Sequence, residues 1–402
     1  MKRFNWIHTI GPGLIVGALV FGPSKLTITS KIGASFGYDL LWIIIIAIFF
    51  MAVYTIIAER IGLANEESLL TLIGKKWGRK FATVVGIGIF LVCTSFQAGN
   101  SVGVGIAIGE LTNTNNNIWI ILFNSVGIAL LFFRNFYKIL EKVMLFLIGM
   151  MLLAFLITLF EVSPNLSKVI TGFIIPRIPA GSMGLIIAFI ASCYSIVGAF
   201  YTSYLVQERM KIKTKSDEIV SRNSSLTGII VLGLLSAILM ICAATILQPL
   251  GVEVKTATDM SLALRPAFGE AASVVFMIGL FAAGFSSVVG NATIGGTLMS
   301  DALGIGSSIN SSKTKLLIAL VMTIGASIAL LFGNAPLELI VFAQSITIFI
   351  VPIIGIAMFI IANDKKIMKE NRIGPFLRVS GFLGLSIIIV LAMFNFIEIF
   401  LK

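Results

Sequence analysis

Long apolar runs separated by short polar connections set the pattern of this chain. The runs cover approximately residues 10–35, 39–62, 80–109, 117–133, 137–161, 183–208, 222–249, 268–300, 314–333, 336–363 and 376–400. An α-helix needs roughly 20 apolar residues to cross hydrocarbon, and most runs reach that length. Helices are the economical choice there, because backbone groups in lipid must be satisfied within the segment. The pattern predicts an all-α polytopic membrane protein of about eleven spanning helices, built as one transmembrane domain over 1–402. The first and sixth runs are interrupted near their centres by polar, Gly or Pro residues. In the first, Pro23 removes a backbone donor and Gly22 adds freedom, so a break is expected over Gly22-Pro23-Ser24-Lys25. That break lies about 14 residues past Gly11, or roughly 20 Å of helix, which is near mid-membrane. Non-helical backbone at this depth must line protein or a wet cavity, and broken helices there commonly form transporter sites.

Composition sharpens this picture. Hydrophobic residues make up 58% of the 402 and charged residues 12%, and the mean hydropathy is +1.05. A soluble domain carries about 25% charged residues. The net charge of +11 does not indicate nucleic acid, because Lys and Arg concentrate in connections between runs. One set of connections holds Lys2, Arg3, the Lys75–Lys80 cluster, Arg134, Lys138, the Arg209–Arg222 cluster, Lys313, Lys315 and the Lys365–Arg372 cluster. The alternate set holds only Lys31, Lys168, Arg177, Lys255, Arg265 and Lys402. By the positive-inside rule the N-terminus is cytoplasmic and, with an odd number of spans, the C-terminus outside, in the inner cell membrane. Met1–Trp6 is short and basic and leads into a full span, which reads as no cleavable signal. Cys93, Cys193 and Cys242 fall inside apolar runs and read as small buried hydrophobes. The connection 162–182, with Pro164, Pro176 and Pro179, is expected to form an ordered cap. No intramembrane His/Asp/Glu cluster, nucleophile–base pair or phosphate loop is evident, so an enzyme is not expected.

Gly11-Pro12-Gly13-Leu14, the break at Pro23, Phe36-Gly37-Tyr38 and Leu40-Leu41-Trp42 resemble the first span and its sequel in the Nramp family of proton-coupled divalent-metal transporters. Arg134 with Leu140-Glu141, Leu205-Val206-Gln207 with Arg209, Ser286-Ser287, and Gln344 extend the likeness over nearly the whole chain. The resemblance implies ten core helices in two inverted five-helix repeats, about 10–161 and 183–363, with an extra helix at 376–400. It also implies that helices 1 and 6 are unwound at a midplane substrate site. The family's Asp-Pro-Gly-Asn motif falls on Gly22-Pro23-Ser24-Lys25, and its Met-Pro-His motif on Ser195-Ile196-Val197. The acidic pair on helix 3 falls on Gln97 and Asn100, and the single histidine is His8.

Those departures direct the chemistry expected from sequence. Divalent cations take oxygen, nitrogen or sulfur ligands, usually with some negative charge. A charged Lys25 repels a cation by roughly 4 kcal/mol per unit charge pair at 4 Å with an effective dielectric near 20. Half-helices starting at Leu26 and Val197 would aim positive dipole ends at the break. Lys25 would add charge, Ser24 and Ser195 donors, and Gln97 and Asn100 hydrogen bonds. The leading expectation is therefore a secondary transporter of a small inorganic anion or carboxylate, with bicarbonate favoured. No cofactor is expected beyond Na⁺ as a candidate coupling ion, held by Val20, Phe21, Ser286 and Ser287. One alternative is a hydrated Mg²⁺ or Mn²⁺ in a widened cavity, and another is a non-transporting receptor or scaffold. The blander readings are a snorkelling or structurally paired Lys25, capping by Ser24 and Ser195, and interhelical bonding by Gln97 and Asn100.

Overall fold

The computed structural model describes residues 22–193, 195–212, 218–332 and 336–401. The part of the first run before Gly22, including Val20 and Phe21, lies outside the described residues. Among the described residues the chain is helical throughout, with no strand. In order the helices are α1 (Pro23–Phe36), α2 (Trp42–Ala64), α3 (Leu69–Trp77), α4 (Arg79–Thr112), α5 (Asn116–Leu130), α6 (Arg134–Val162), α7 (Leu166–Ile174) and α8 (Met183–Cys193). They continue with α9 (Ile196–Ile212), α10 (Glu218–Ile246), α11 (Ala257–Ser261), α12 (Ala272–Ala302), α13 (Ser312–Leu331), α14 (Pro336–Ile346), α15 (Val351–Asn363) and α16 (Pro375–Phe400).

Among the described residues eight helices are long and apolar enough to cross a membrane, and a ninth arises if α14 and α15 count as one span. The other two expected runs are represented by α5, an apolar helix of 15 residues, and by α1, described over 14. Besides the first and sixth runs, where interruptions were expected, run 336–363 is bent by 43°. Pro352, at the start of α15, lacks the N–H that would continue the helix, and a 3-10 turn at Thr347–Phe349 fills the corner. The connection 162–182 is ordered as expected and contains α7.

The most extensive contact runs between α4 and α12. Around this pair, small residues let backbones approach closely. A Cβ on Gly103 would lie 2.2 Å from the Pro23 ring, and one on Gly296 would lie 2.5 Å from the Ile318 amide. The first contact seats the start of α1 on α4, and the second brings α13 against α12. At the periphery, α16 leaves Phe376, Phe382 and Met393 exposed, as a lipid-facing helix does.

Candidate functional site

Two helix ends meet in the middle of the bundle. Gly22 is extended, Pro23 takes the first helical position, and the Lys25 amide donates to the Gly22 carbonyl at 3.0 Å. Proline is favoured there because its missing N–H would be unsatisfied anyway. Ser24 and Lys25 therefore belong to the first turn of α1, and the half-helix starts at Pro23, not at the expected Leu26. In the sixth run α8 stops at Cys193 and α9 starts at Ile196. The expected start at Val197 is thus one residue late. Ser195 caps α9: its Oγ accepts from the Gly198 amide at 3.1 Å.

Six of the residues expected at the site line one cavity of about 70 Å³ between these ends: Gly22, Ser24, Lys25, Asn100, Ser195 and Val197. That volume is large enough for several waters. Gln344 and Asn291, which sequence reasoning did not place at the site, also line it. Gln344 Nε2 donates to Ser24 Oγ at 2.8 Å, while its Oε1 is buried with no hydrogen-bond partner among the described residues. Asn291 Nδ2 donates to the Cys93 carbonyl at 2.6 Å. A Cβ on Gly22 would meet Ser287 Oγ at 2.9 Å and Asn100 Oδ1 at 3.0 Å, so only glycine leaves these oxygens close to the start of α1. A lone polar residue inside an apolar run was the available signal for Asn291 and Gln344.

Lys25 is 1% exposed. Its Nζ donates to Ser192 Oγ at 3.2 Å, contacts Cys193 Sγ and sits 4.6 Å from the centroid of the Phe189 ring. All three partners belong to the C-terminal turn of α8, where the helix dipole and a ring face favour a cation. The ammonium therefore spans from α1 to α8 as a fixed strut at the cavity wall.

The remaining expected residues lie elsewhere. Gln97 does not line the cavity. Its Nε2 donates to Asn124 Oδ1 at 3.4 Å and its Oε1 accepts from Asn291 Nδ2 at 3.5 Å, an interhelical network that also takes in Ser101. Pro23 packs on Gly103, away from the lining. Ser286 and Ser287 are buried on α12 outside the lining, although Ser287 borders Gly22. All three cysteines are buried and free. Among the described residues no group of three or more His, Cys, Asp or Glu is placed to hold a metal ion.

A family model described as natural resistance-associated macrophage protein-like, Nramp, matches residues 13–398. The divalent metal cation transporter MntH of Caldanaerobacter subterraneus subsp. tengcongensis is 25% identical over 401 residues, covering 97% of this chain and 92% of that protein. MntH of Chromohalobacter salexigens is 25% identical, covering 91% of this chain and 86% of its own length. The manganese transporter of Eremococcus coleocola superposes with a TM-score of 0.78 at 18% identity, over 99% of this chain and 88% of that one. The nucleobase-cation-symport-1 transporter Mhp1 does so with a TM-score of 0.64 at 12% identity, over 98% and 94%. The last two likenesses establish the fold.

These findings correct the expectation of an anion cargo. Relatives matched along nearly their whole length are transporters of divalent metal cations, which is at odds with bicarbonate or another small anion and with Na⁺ as the coupled ion. The reason the residues misled is visible at Lys25. Its charge is committed to the end of α8 and does not stand alone in the break. The chain belongs to the Nramp family, a family of multi-pass membrane transporters.

Proposed function

We propose that this chain carries a divalent metal cation across the membrane, held in partly hydrated form in the cavity between α1, α4, α9, α12 and α14. The observation that carries the reading is Gln344 Oε1, a buried acceptor beside Ser24 that has no partner among the described residues. An orphaned acceptor of this kind costs about 1–3 kcal/mol, and a cation or its bound water would relieve it. Ser24 Oγ, Asn100 Oδ1 and the side-chain carbonyl of Asn291 supply further oxygens on the same lining. Such hard, neutral donors suit Mg²⁺ or Mn²⁺ that keeps some of its water, and they suit soft metals poorly. Lys25, at the cavity wall, opposes a cationic cargo. The half-helix end that holds Lys25 compensates part of that charge. The site therefore binds its cargo weakly and admits it hydrated.

The membrane placement belongs to the same proposal. One transmembrane unit sits in the inner cell membrane with its N-terminus cytoplasmic and its C-terminus outside, an orientation supported by the Lys and Arg asymmetry of the connections. The test is uptake of Mn²⁺ into proteoliposomes containing a quenchable metal dye, with Mg²⁺ as competitor. Saturable, Mg²⁺-sensitive quenching is expected. Vesicles that quench no faster than protein-free ones would remove the proposal.

A further inference from the structure

A second polar cavity, of about 350 Å³, lies away from the candidate site, between the end of α1, α7 and Gln248. Asp39, Ser167, Lys168, Thr171, Arg177 and Gln248 contribute its polar lining. The helix α7 divides into three faces. Leu166, Ile170 and Ile174, four residues apart, are exposed, and Ile178, beyond the helix end, is exposed too. Gly172 packs directly against the Tyr38 carbonyl, where a Cβ would lie 2.1 Å away. Ser167, Lys168 and Thr171 point between these two faces, into the cavity.

A helix that is apolar outside, polar on the next face and packed on the third lies in the plane of a membrane interface. Trp42 and Tyr38 flank the same place, and aromatic residues of this type collect at headgroup depth. Trp42 Nε1 donates to the Arg177 carbonyl at 3.0 Å, which fixes that segment against α2. The charges in the cavity do not cancel. Arg177 Nη1 pairs with Asp39 Oδ1 at 3.3 Å, and its other side-chain donors have no partner among the described residues. Lys168 has no acidic partner among the described residues. The cavity is thus cationic by one unit, hydroxyl-lined and open beside a lipid-facing stripe.

We propose that this cavity binds the phosphodiester headgroup of an anionic glycerophospholipid. Lys168 and Arg177 receive the phosphate oxygens, and Ser167, Thr171 and Gln248 receive the hydroxyls of a glycerol headgroup. The acyl chains leave the cavity mouth past the Leu166–Ile170–Ile174 stripe and enter the hydrocarbon. Charge and shape favour a lipid over a soluble anion, because the stripe gives the tails a place at the cavity mouth. The occupant also braces the end of α1, whose last residues form the cavity wall.

Native mass spectrometry of the detergent-purified chain tests this, with phosphatidylglycerol and phosphatidylcholine offered together. Preferential retention of phosphatidylglycerol is expected, falling at least tenfold in the double variant Lys168→Gln/Arg177→Gln. Asp39→Asn frees Arg177 and is expected to strengthen retention. Arg265→Gln, an exposed charge elsewhere, serves as control and leaves it unchanged. Equal retention of both lipids, a double variant that binds like the parent, or a weaker Asp39→Asn would each overturn the proposal. Displacement of phosphatidylglycerol by millimolar inorganic phosphate would reassign the cavity to a soluble anion.

Discussion

Lys25 is the residue on which cation and anion readings part. A charge that opposes the cargo, when removed, leaves a tighter site. Lys25→Met keeps much of the apolar stem and removes the ammonium that sits over Phe189, so Mn²⁺ affinity is expected to rise at least tenfold by calorimetry. A fall in affinity would defeat this account of the residue. Gln344 makes the complementary case. Gln344→Leu removes the orphaned oxygen and the bond to Ser24. Uptake is expected to drop several-fold, while the melting temperature changes little, since the orphaned oxygen is gone and the Ser24 hydroxyl that loses its donor faces the cavity. These two roles differ in how far the sequence disclosed them. Lys25 stood out as a charge inside an apolar run, but its docking on Ser192 and Phe189 depends on a helix 167 residues further along the chain. Gln97 and Asn100 looked equivalent, three residues apart on one helix. The structure separates them because Asn124 and Asn291 capture Gln97, whereas Asn100 faces Gly22.

At the scale of elements, close approach carries the geometry of the site. Gly103→Ala would drive a methyl into Pro23 and push α1 off α4. Overpacking of this kind costs about 1–3 kcal/mol, so a melting temperature several degrees lower is expected, together with weaker Mn²⁺ uptake. An unchanged melting temperature would mean that α1 can shift freely. A second element-level device joins the end of α3 to Asp364, the N-cap of the four-residue helix Lys365–Met368 that follows α15. Lys76 contacts Asp364, whose carboxylate also accepts from the amides of Lys366 and Ile367. The Lys76 hydrogen bond, followed by the backbone amides, holds the Asp364 carboxyl below its ordinary range. A depressed carboxyl stabilises the fold above the unfolded value near 3.9 and loses that contribution as pH falls through the lower folded value. Acid melting of Asp364→Asn in detergent is therefore expected to depend less on pH below about 4 than that of the parent.

Across the whole molecule, one polar cluster ties three helices at a single end of the bundle. Asp301 Oδ2, on α12, accepts from Ser68 Oγ and from Tyr204 OH, both at 2.6 Å. Gln207 Nε2, also on α9, donates to the Asn65 and Glu67 carbonyls at 2.9 and 2.6 Å. The cavity lining runs along α9 through Leu205, toward this cluster. Loosening the cluster should free α9 without touching the cargo. Tyr204→Phe is expected to raise amide exchange over residues 196–208 several-fold, with Mn²⁺ affinity unchanged. Exchange that stays at the parent level would show that apolar packing holds α9 without help from Asp301.

The class of the protein was legible in one dimension. Apolar runs of spanning length, Lys and Arg in alternate connections, and a Gly-Pro pair inside the first run follow from rules that act along the chain: helix rise, backbone satisfaction in lipid and the missing proline N–H. The ordered cap over 162–182 and six of the cavity residues followed from the same rules together with the family resemblance. Tertiary structure decided what no local rule contains. It turned Lys25 toward the end of α8, left Gln344 Oε1 without a partner among the described residues, drew Gln97 away from the cavity and bent run 336–363 at Pro352. Which face a polar side chain presents, and to which partner, is set by helices distant in sequence. A buried charge changes from a binding group to a strut when a single helix end meets it.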